Sequence, residues 1–128
     1  MKLNEDFSRA KIMRDFFGVC DRWGLRGIAQ RAMILDVSPP QGAQDFAPDD
    51  WSIIGDDGTV ERASCVLAID ALLLKMLRRH ESINIWLTTP CDRPPFNGRS
   101  AIGKIMNPDI DGMKSVLEYL VDQSKFLL

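Results

Sequence analysis

One stretch limits the folds open to this chain: residues 59–80, TVERASCVLAIDALLLKMLRRH. Apolar residues recur at 60, 63, 67, 71 and 74, which is helical spacing. A second line through Cys65, Val66, Ile69, Leu72, Leu73 and Met76 fills most of the remaining circumference. A helix apolar all round packs on several sides, so the pattern predicts a buried central helix. Asp57-Gly58-Thr59 reads as a turn leading into an N-cap at Thr59, and Glu61 suits the positive helix start. Arg78, Arg79 and His80 suit the negative end of the same helix. Asp70 and Lys75 inside the pattern make it a poor membrane span.

A chain of 128 residues holds one domain, or two very small ones sharing a core. Its net charge of −2 argues against general affinity for nucleic acid or acidic membranes. The charge is unevenly placed. Residues 1–35 carry seven Lys and Arg against four acids, whereas residues 36–61 carry seven acids and no base. Cys20, Cys65 and Cys91 are odd in number and far apart, which suits a reducing compartment rather than a disulfide framework. The acids of MKLNEDFSRAK interrupt any leader-like apolar run, so a cytoplasmic protein without a targeting or membrane-spanning segment is expected.

The first helix is predicted over 7–23, with Ile12, Phe16, Val19, Cys20 and Trp23 on one face and Gly24 as its stop. A second, over 26–35, would bury Ile28, Ala32 and Leu35. Ser38-Pro39-Pro40-Gln41 has the form of a capping box, but Gly42, Pro48 and several Asp limit any helix there to two turns. Residues 51–58 read equally as a helix tail or a small hairpin. Beyond the central stretch, 81–87 continues or restarts as a helix that delivers Trp86 to the core. Pro90, Pro94, Pro95 and Asn97-Gly98 make 88–98 a loop. A short helix over 99–106 is broken by Asn107-Pro108. The last helix, over 109–126, turns Met113, Val116, Leu117, Leu120 and Val121 inward. Trp23, Leu67, Leu74, Trp86 and Leu120 are the expected core.

Residues equipped for catalysis are few. His80 is the only histidine, which excludes a two-histidine metal site. Cys65 sits mid-helix and Cys91 lies across a proline loop from His80, so no nucleophile–base pair is indicated. Asp109-Ile-Asp111-Gly112 lacks the ligand spacing of a calcium loop and reads as a helix start. No catalytic residue, cofactor site or metal site is therefore expected. Asp70 has only apolar neighbours at i±3 and i±4, so it is either paired inside, with Arg22 or Arg31, or exposed on a partner face.

The order helix, short helix, turn, short helix over the front half is the outline of a helix-turn-helix. Its last helix would be PPQGAQDFAPDD, with two Gln, no Lys or Arg and several Asp. Such a helix repels phosphate and reads DNA poorly.

The last third holds an ordered set of short motifs: Ile85-Trp86-Leu87-Thr88-Thr89-Pro90, Phe96-Asn97-Gly98-Arg99-Ser100-Ala101-Ile102, Gly112-Met113, and Val116-Leu117-Glu118-Tyr119-Leu120. This resembles the toxin-binding domain of the Xre/MbcA/ParS antitoxins, with its Trp-Leu, proline loop, Phe-x-Gly, later Gly and closing Tyr-Leu helix. Trp23-Gly24-Leu25 and Val60-x-Arg62 are similar to the family's Xre-like front. Cys91 and Ala101 depart from the family's usual Asn and Pro, and the recognition helix lacks its basic residues.

The resemblance implies an all-α compact bundle, with a helix-turn-helix-like region over 1–58 and the central helix plus a toxin-binding domain over 59–128. It implies a non-enzymatic antitoxin that masks a RES-domain toxin, an enzyme acting on NAD, with a front half that forms homodimers. The alternative is a DNA-binding regulator of the helix-turn-helix type. For the antitoxin, the expected toxin-binding residues are Pro90, Phe96, Asn97, Gly98, Arg99 and Lys104. The prolines limit the entropy lost on docking, and Asn97-Gly98 allows a tight turn that presents Arg99. Lys114 and Lys125 are further contact candidates, and the apolar end Phe126-Leu127-Leu128 is expected either to meet the partner or to close the domain's own core.

The acidic candidate recognition helix predicts weak, salt-sensitive or undetectable duplex binding by the isolated protein. A mobility-shift titration on the chain's own promoter tests this. Tight binding at physiological salt, lost on substituting Gln41 and Gln44, would favour the regulator.

Overall fold

A computed structural model describes residues 2–37 and 57–127, with side chains over 9–27, 29–37 and 57–126. The described regular structure is all helical. In order it comprises α1 (Lys2–Arg22), α2 (Ile28–Leu35), α3 (Asp57–Leu77), α4 (His80–Thr88), α5 (Ala101–Ile105) and α6 (Ile110–Ser124), closed by a 3-10 turn at Lys125–Leu127. The chain forms two compact units, Met1–Leu67 and Ala68–Leu128, whose division falls within α3. The capping box at 38–41, the third helix-turn-helix element and the alternative at 51–56 lie outside the described residues.

In the N-terminal unit, α1 buries Met13, Phe16, Phe17, Val19 and Cys20, while Ile12 is only half-buried. The helix stops where the glycine predicts. Gly24 takes φ +78, its N–H donates to the Asp21 carbonyl, and the Leu25 N–H reaches back to that of Cys20 at 2.8 Å. This is a Schellman closure, with Leu25 buried beyond the turn. α2 ends in the same way at Asp36 (φ 55), whose neighbour Val37 donates to the Ala32 carbonyl. Ala32, Ile34 and Leu35 are buried.

Two buried arginines tie this unit together. Arg31 donates to the Leu25 carbonyl at 2.7 Å, ion-pairs with Asp21 and lies 5.5 Å from the centre of the Phe17 ring. Arg62 donates to the Ile34 carbonyl in the last turn of α2, where a cation meets the negative helix end. Guanidinium groups this buried are tolerable only with such partners, because stranding a charge costs several kcal/mol, on the order of 3–5.

Three features of α3 depart from its sequence pattern. It begins at Asp57, so Thr59 is a buried first-turn residue rather than the cap. It is not buried all round. Thr59, Arg62, Ala63, Val66, Ile69, Asp70 and Leu73 form the buried stripe, Ala71 is exposed, and Leu67 and Leu74 are half-buried. The stripe runs at i, i+3, i+4, i+7 and draws on residues from both apolar lines. Its end also differs. Arg78 turns into the left-handed region (φ 65), Arg79 is the N-cap of α4, and His80 opens that helix instead of closing the previous one. Asp70, at 4% exposure, is buried as its neighbours require and has a partner.

In the C-terminal unit, α4 buries Ile83 and Leu87, α5 buries Ala101 and Ile105, and α6 buries Met113, Val116 and Leu120. Trp86 and Leu117 are half-buried and Val121 is 41% exposed, against the sequence expectation for all three. Phe126 is 82% exposed. α5 packs against both α4 and α6. The second contact requires a glycine: a Cβ on Gly112 would sit 2.6 Å from the Lys104 carbonyl oxygen, well inside contact distance. Gly112→Ala is therefore expected to destabilise the protein by about 1–3 kcal/mol. That is opposite in sign to the usual gain from a Gly→Ala change in a helix. Urea denaturation checks it; an unchanged or raised midpoint would show that the backbones can part without cost.

Candidate partner-binding pocket

The loop between α4 and α5 is held by its own hydrogen bonds. Thr89 closes the end of α4, with both its N–H and its hydroxyl donating to the Ile85 carbonyl, at 3.0 and 2.6 Å. Cys91 and Arg99 form a single antiparallel bridge: the Cys91 N–H donates to the Arg99 carbonyl at 3.2 Å, and the Gly98 N–H to the Cys91 carbonyl at 2.7 Å. Between them, Phe96-Asn97-Gly98-Arg99 is a tight turn closed by the Arg99 N–H on the Phe96 carbonyl at 3.0 Å. Its central residues both have positive φ, 51 for Asn97 and 92 for Gly98, as a type I′ turn demands. Asn-Gly suits that turn because Gly carries no Cβ penalty and Asn tolerates the left-handed region.

Lys104 braces this loop from α5. Its Nζ donates to the Pro95 carbonyl at 2.7 Å, and the Asn97 amide reaches the same oxygen at 3.4 Å. Ser100 caps α5 by accepting the Gly103 N–H, and Asp109 caps α6 by accepting that of Asp111. Proline carbonyl, lysine ammonium and turn are thus one assembly.

Behind the loop three aromatic rings meet. Phe96, 3% exposed, stands nearly perpendicular to Trp86 (87°, 5.8 Å between centres) and to Tyr119 (79°, 5.1 Å). Trp86 and Tyr119 lie close to parallel, 16° apart in plane and 6.5 Å between centres. The edge-to-face contacts match the aromatic quadrupoles and hold the rings in fixed relative orientation. Between these rings, Thr89, Pro90, Cys91 and Ala101 is an open, mostly apolar pocket of about 240 Å³.

Of the residues singled out from the sequence, Pro90 and Phe96 line this pocket. Asn97, Gly98 and Arg99 form the exposed turn beside it, and Lys104 is engaged with Pro95 rather than standing free at the surface. Trp86, Tyr119, Thr89, Cys91 and Ala101 were not assigned to the site from the sequence. Trp86 and Tyr119 stand in the ordered motifs, but Trp86 reads as core, and Tyr119 is not among the inward residues that periodicity gives for the last helix. Only their incomplete burial separates wall from core.

Among the described residues no group of three or more His, Cys, Asp or Glu side chains is placed to hold a metal ion, and no helix is long and apolar enough to cross a membrane. The thiols differ in setting. Cys91 is half-exposed at the pocket, whereas burial pushes the Cys20 thiol from its ordinary value of 9.0 up to about 12, against a smaller opposing pull from Arg31. No family model, curated protein or solved structure matches this chain.

The thiol at Cys20 sets a pH dependence. Its folded value lies above its unfolded one, so its contribution to stability is complete below pH 9 and is lost as pH rises towards 12. By pH 10.5 the loss is about 2 kcal/mol. Urea midpoints at pH 8 and pH 10.5 check this: Cys20→Ala should lose distinctly less than wild type over the interval. An equal loss in both would remove the thiol as the cause.

Proposed function

We propose that this chain is the antitoxin of a type II toxin–antitoxin system, a non-enzymatic protein that binds and neutralises a RES-domain toxin acting on NAD. The observation carrying the reading is the convergence of the ordered motifs. Trp86, Pro90, Phe96, Ala101 and Tyr119 are spread over separate motif elements, yet they wall one pocket. Residues needed only for a core have no reason to leave an aromatic-lined opening at the surface. Beside that opening, the braced turn presents Arg99 on a backbone that needs little further ordering, which favours protein docking. In this reading the partner sits on the C-terminal unit, in the cytoplasm, and the front half supplies dimerisation rather than operator binding.

Co-expression with the product of the adjacent reading frame tests the proposal. The full chain is expected to restore growth that the toxin alone arrests. A double change at the turn, Asn97→Ala with Gly98→Val, should weaken rescue by at least tenfold in the toxin dose tolerated. A neighbouring frame that encodes no toxin, or growth arrest that the intact chain leaves untouched, would overturn the assignment.

A further inference from the structure

The pocket walled by Trp86, Phe96 and Tyr119 has no role in holding the unit together that a closed core would not serve better. Its size narrows what can fill it. At about 240 Å³ it lies below the range of roughly 300–1,000 Å³ usual for cofactors and drug-sized ligands, and it matches one large side chain. Its lining offers little polarity beyond the Thr89 hydroxyl, the Cys91 thiol and the Tyr119 hydroxyl. Three aromatic rings around an opening suit two occupants, a cation or an apolar group.

Charge decides between them. The loop forming the pocket wall carries Arg93 and Arg99, both exposed, against one acid, Asp92. The bridge to Cys91 fixes Arg99 beside a wall residue. Lys104 adds a third positive charge at Pro95, next to Phe96. Even with the exposed Glu118 beside Tyr119 counted, the charge of these neighbours stays positive, which favours an apolar side chain with acidic neighbours over a cation. Ile85, 66% exposed one helical turn before Thr89, extends the apolar surface.

We infer that this pocket is the anchor site for the protein partner, receiving one large apolar side chain from a segment that carries Asp or Glu on either side. The inference rests on the antitoxin reading and specifies the chemistry of the toxin segment that docks. An aromatic pocket of this kind concentrates binding energy in one buried anchor, with the charged rim steering encounter.

The test uses the full chain and the purified toxin, measured by calorimetry. Cys91→Trp fills the opening from its wall. It is expected to lower toxin affinity at least 30-fold while leaving the melting temperature within a few degrees of wild type. Arg93→Glu with Arg99→Glu should weaken binding about tenfold at low salt and less at high salt. In wild type, bound toxin should slow alkylation of Cys91 at least tenfold, which gives a readout even if the filled variant does not fold. Cys91→Trp binding within twofold of wild type, or Cys91 equally reactive in the complex, would overturn the anchor site and leave the antitoxin reading standing. Unchanged affinity in the double arginine variant would overturn the acidic character of the segment. Wild type failing to bind the toxin at all would overturn the antitoxin reading itself and the occupant with it. Self-association of the chain without toxin, abolished by Cys91→Trp, would give the pocket to a second copy and overturn the proposal.

Discussion

The C-terminal unit depends on the missing side chain at Gly112. Because nothing projects there, the first turns of α6 lie against the main chain of Lys104 at the end of α5, closer than any other residue would allow. That approach fixes the line of α6, and two turns further on the same helix carries Tyr119 to Phe96 and Trp86. Lys104 is engaged twice. Its carbonyl faces Gly112 and its ammonium holds the proline loop through Pro95. One residue therefore links the packing of two helices to the shape of the loop that completes the pocket.

The N-terminal unit is organised by a different means. Its first two helices end in left-handed turns, and its charged anchors are buried. Arg31 and Arg62 each satisfy a carbonyl at or beyond a helix end, and Arg31 also has a carboxylate and an aromatic face. Such groups define which helix ends meet more sharply than apolar contact does, since a misplaced guanidinium would be left without partners in a dry site. The apolar residues of α1 and α2 supply the burial, while the arginines join the helix ends.

Chain breaks at prolines and Asn-Gly create a loop; hydrogen bonds within the loop and from Lys104 give it one shape. That shape leaves a mostly apolar opening among three rings. Cys20, whose thiol is pushed up by burial, is sealed in the core of the N-terminal unit.

Much of the local structure was legible in the sequence. The helical class, the stop at Gly24, the break at Asn107-Pro108, the loop after Thr88 and the turn at Asn97-Gly98 all arise from rules acting over a few residues, where backbone sterics leave little choice. Periodicity also identified Met113, Val116 and Leu120 as inward. It failed for Leu67, Leu74, Trp86 and Val121, because apolar character shows what burial would favour and not which face finds a neighbour. The end of α3 was misplaced for a related reason. Arg78, Arg79 and His80 suit the end of a helix by charge, but a left-handed turn at Arg78 passed His80 to the next one. Pro90 and Phe96, expected at the contact through the proline loop and the family resemblance, do line the pocket. Their meeting with Tyr119 and the engagement of Lys104 were decided only by tertiary packing, since residues on separate helices and the loop between them are brought together by helix crossings that no local rule encodes.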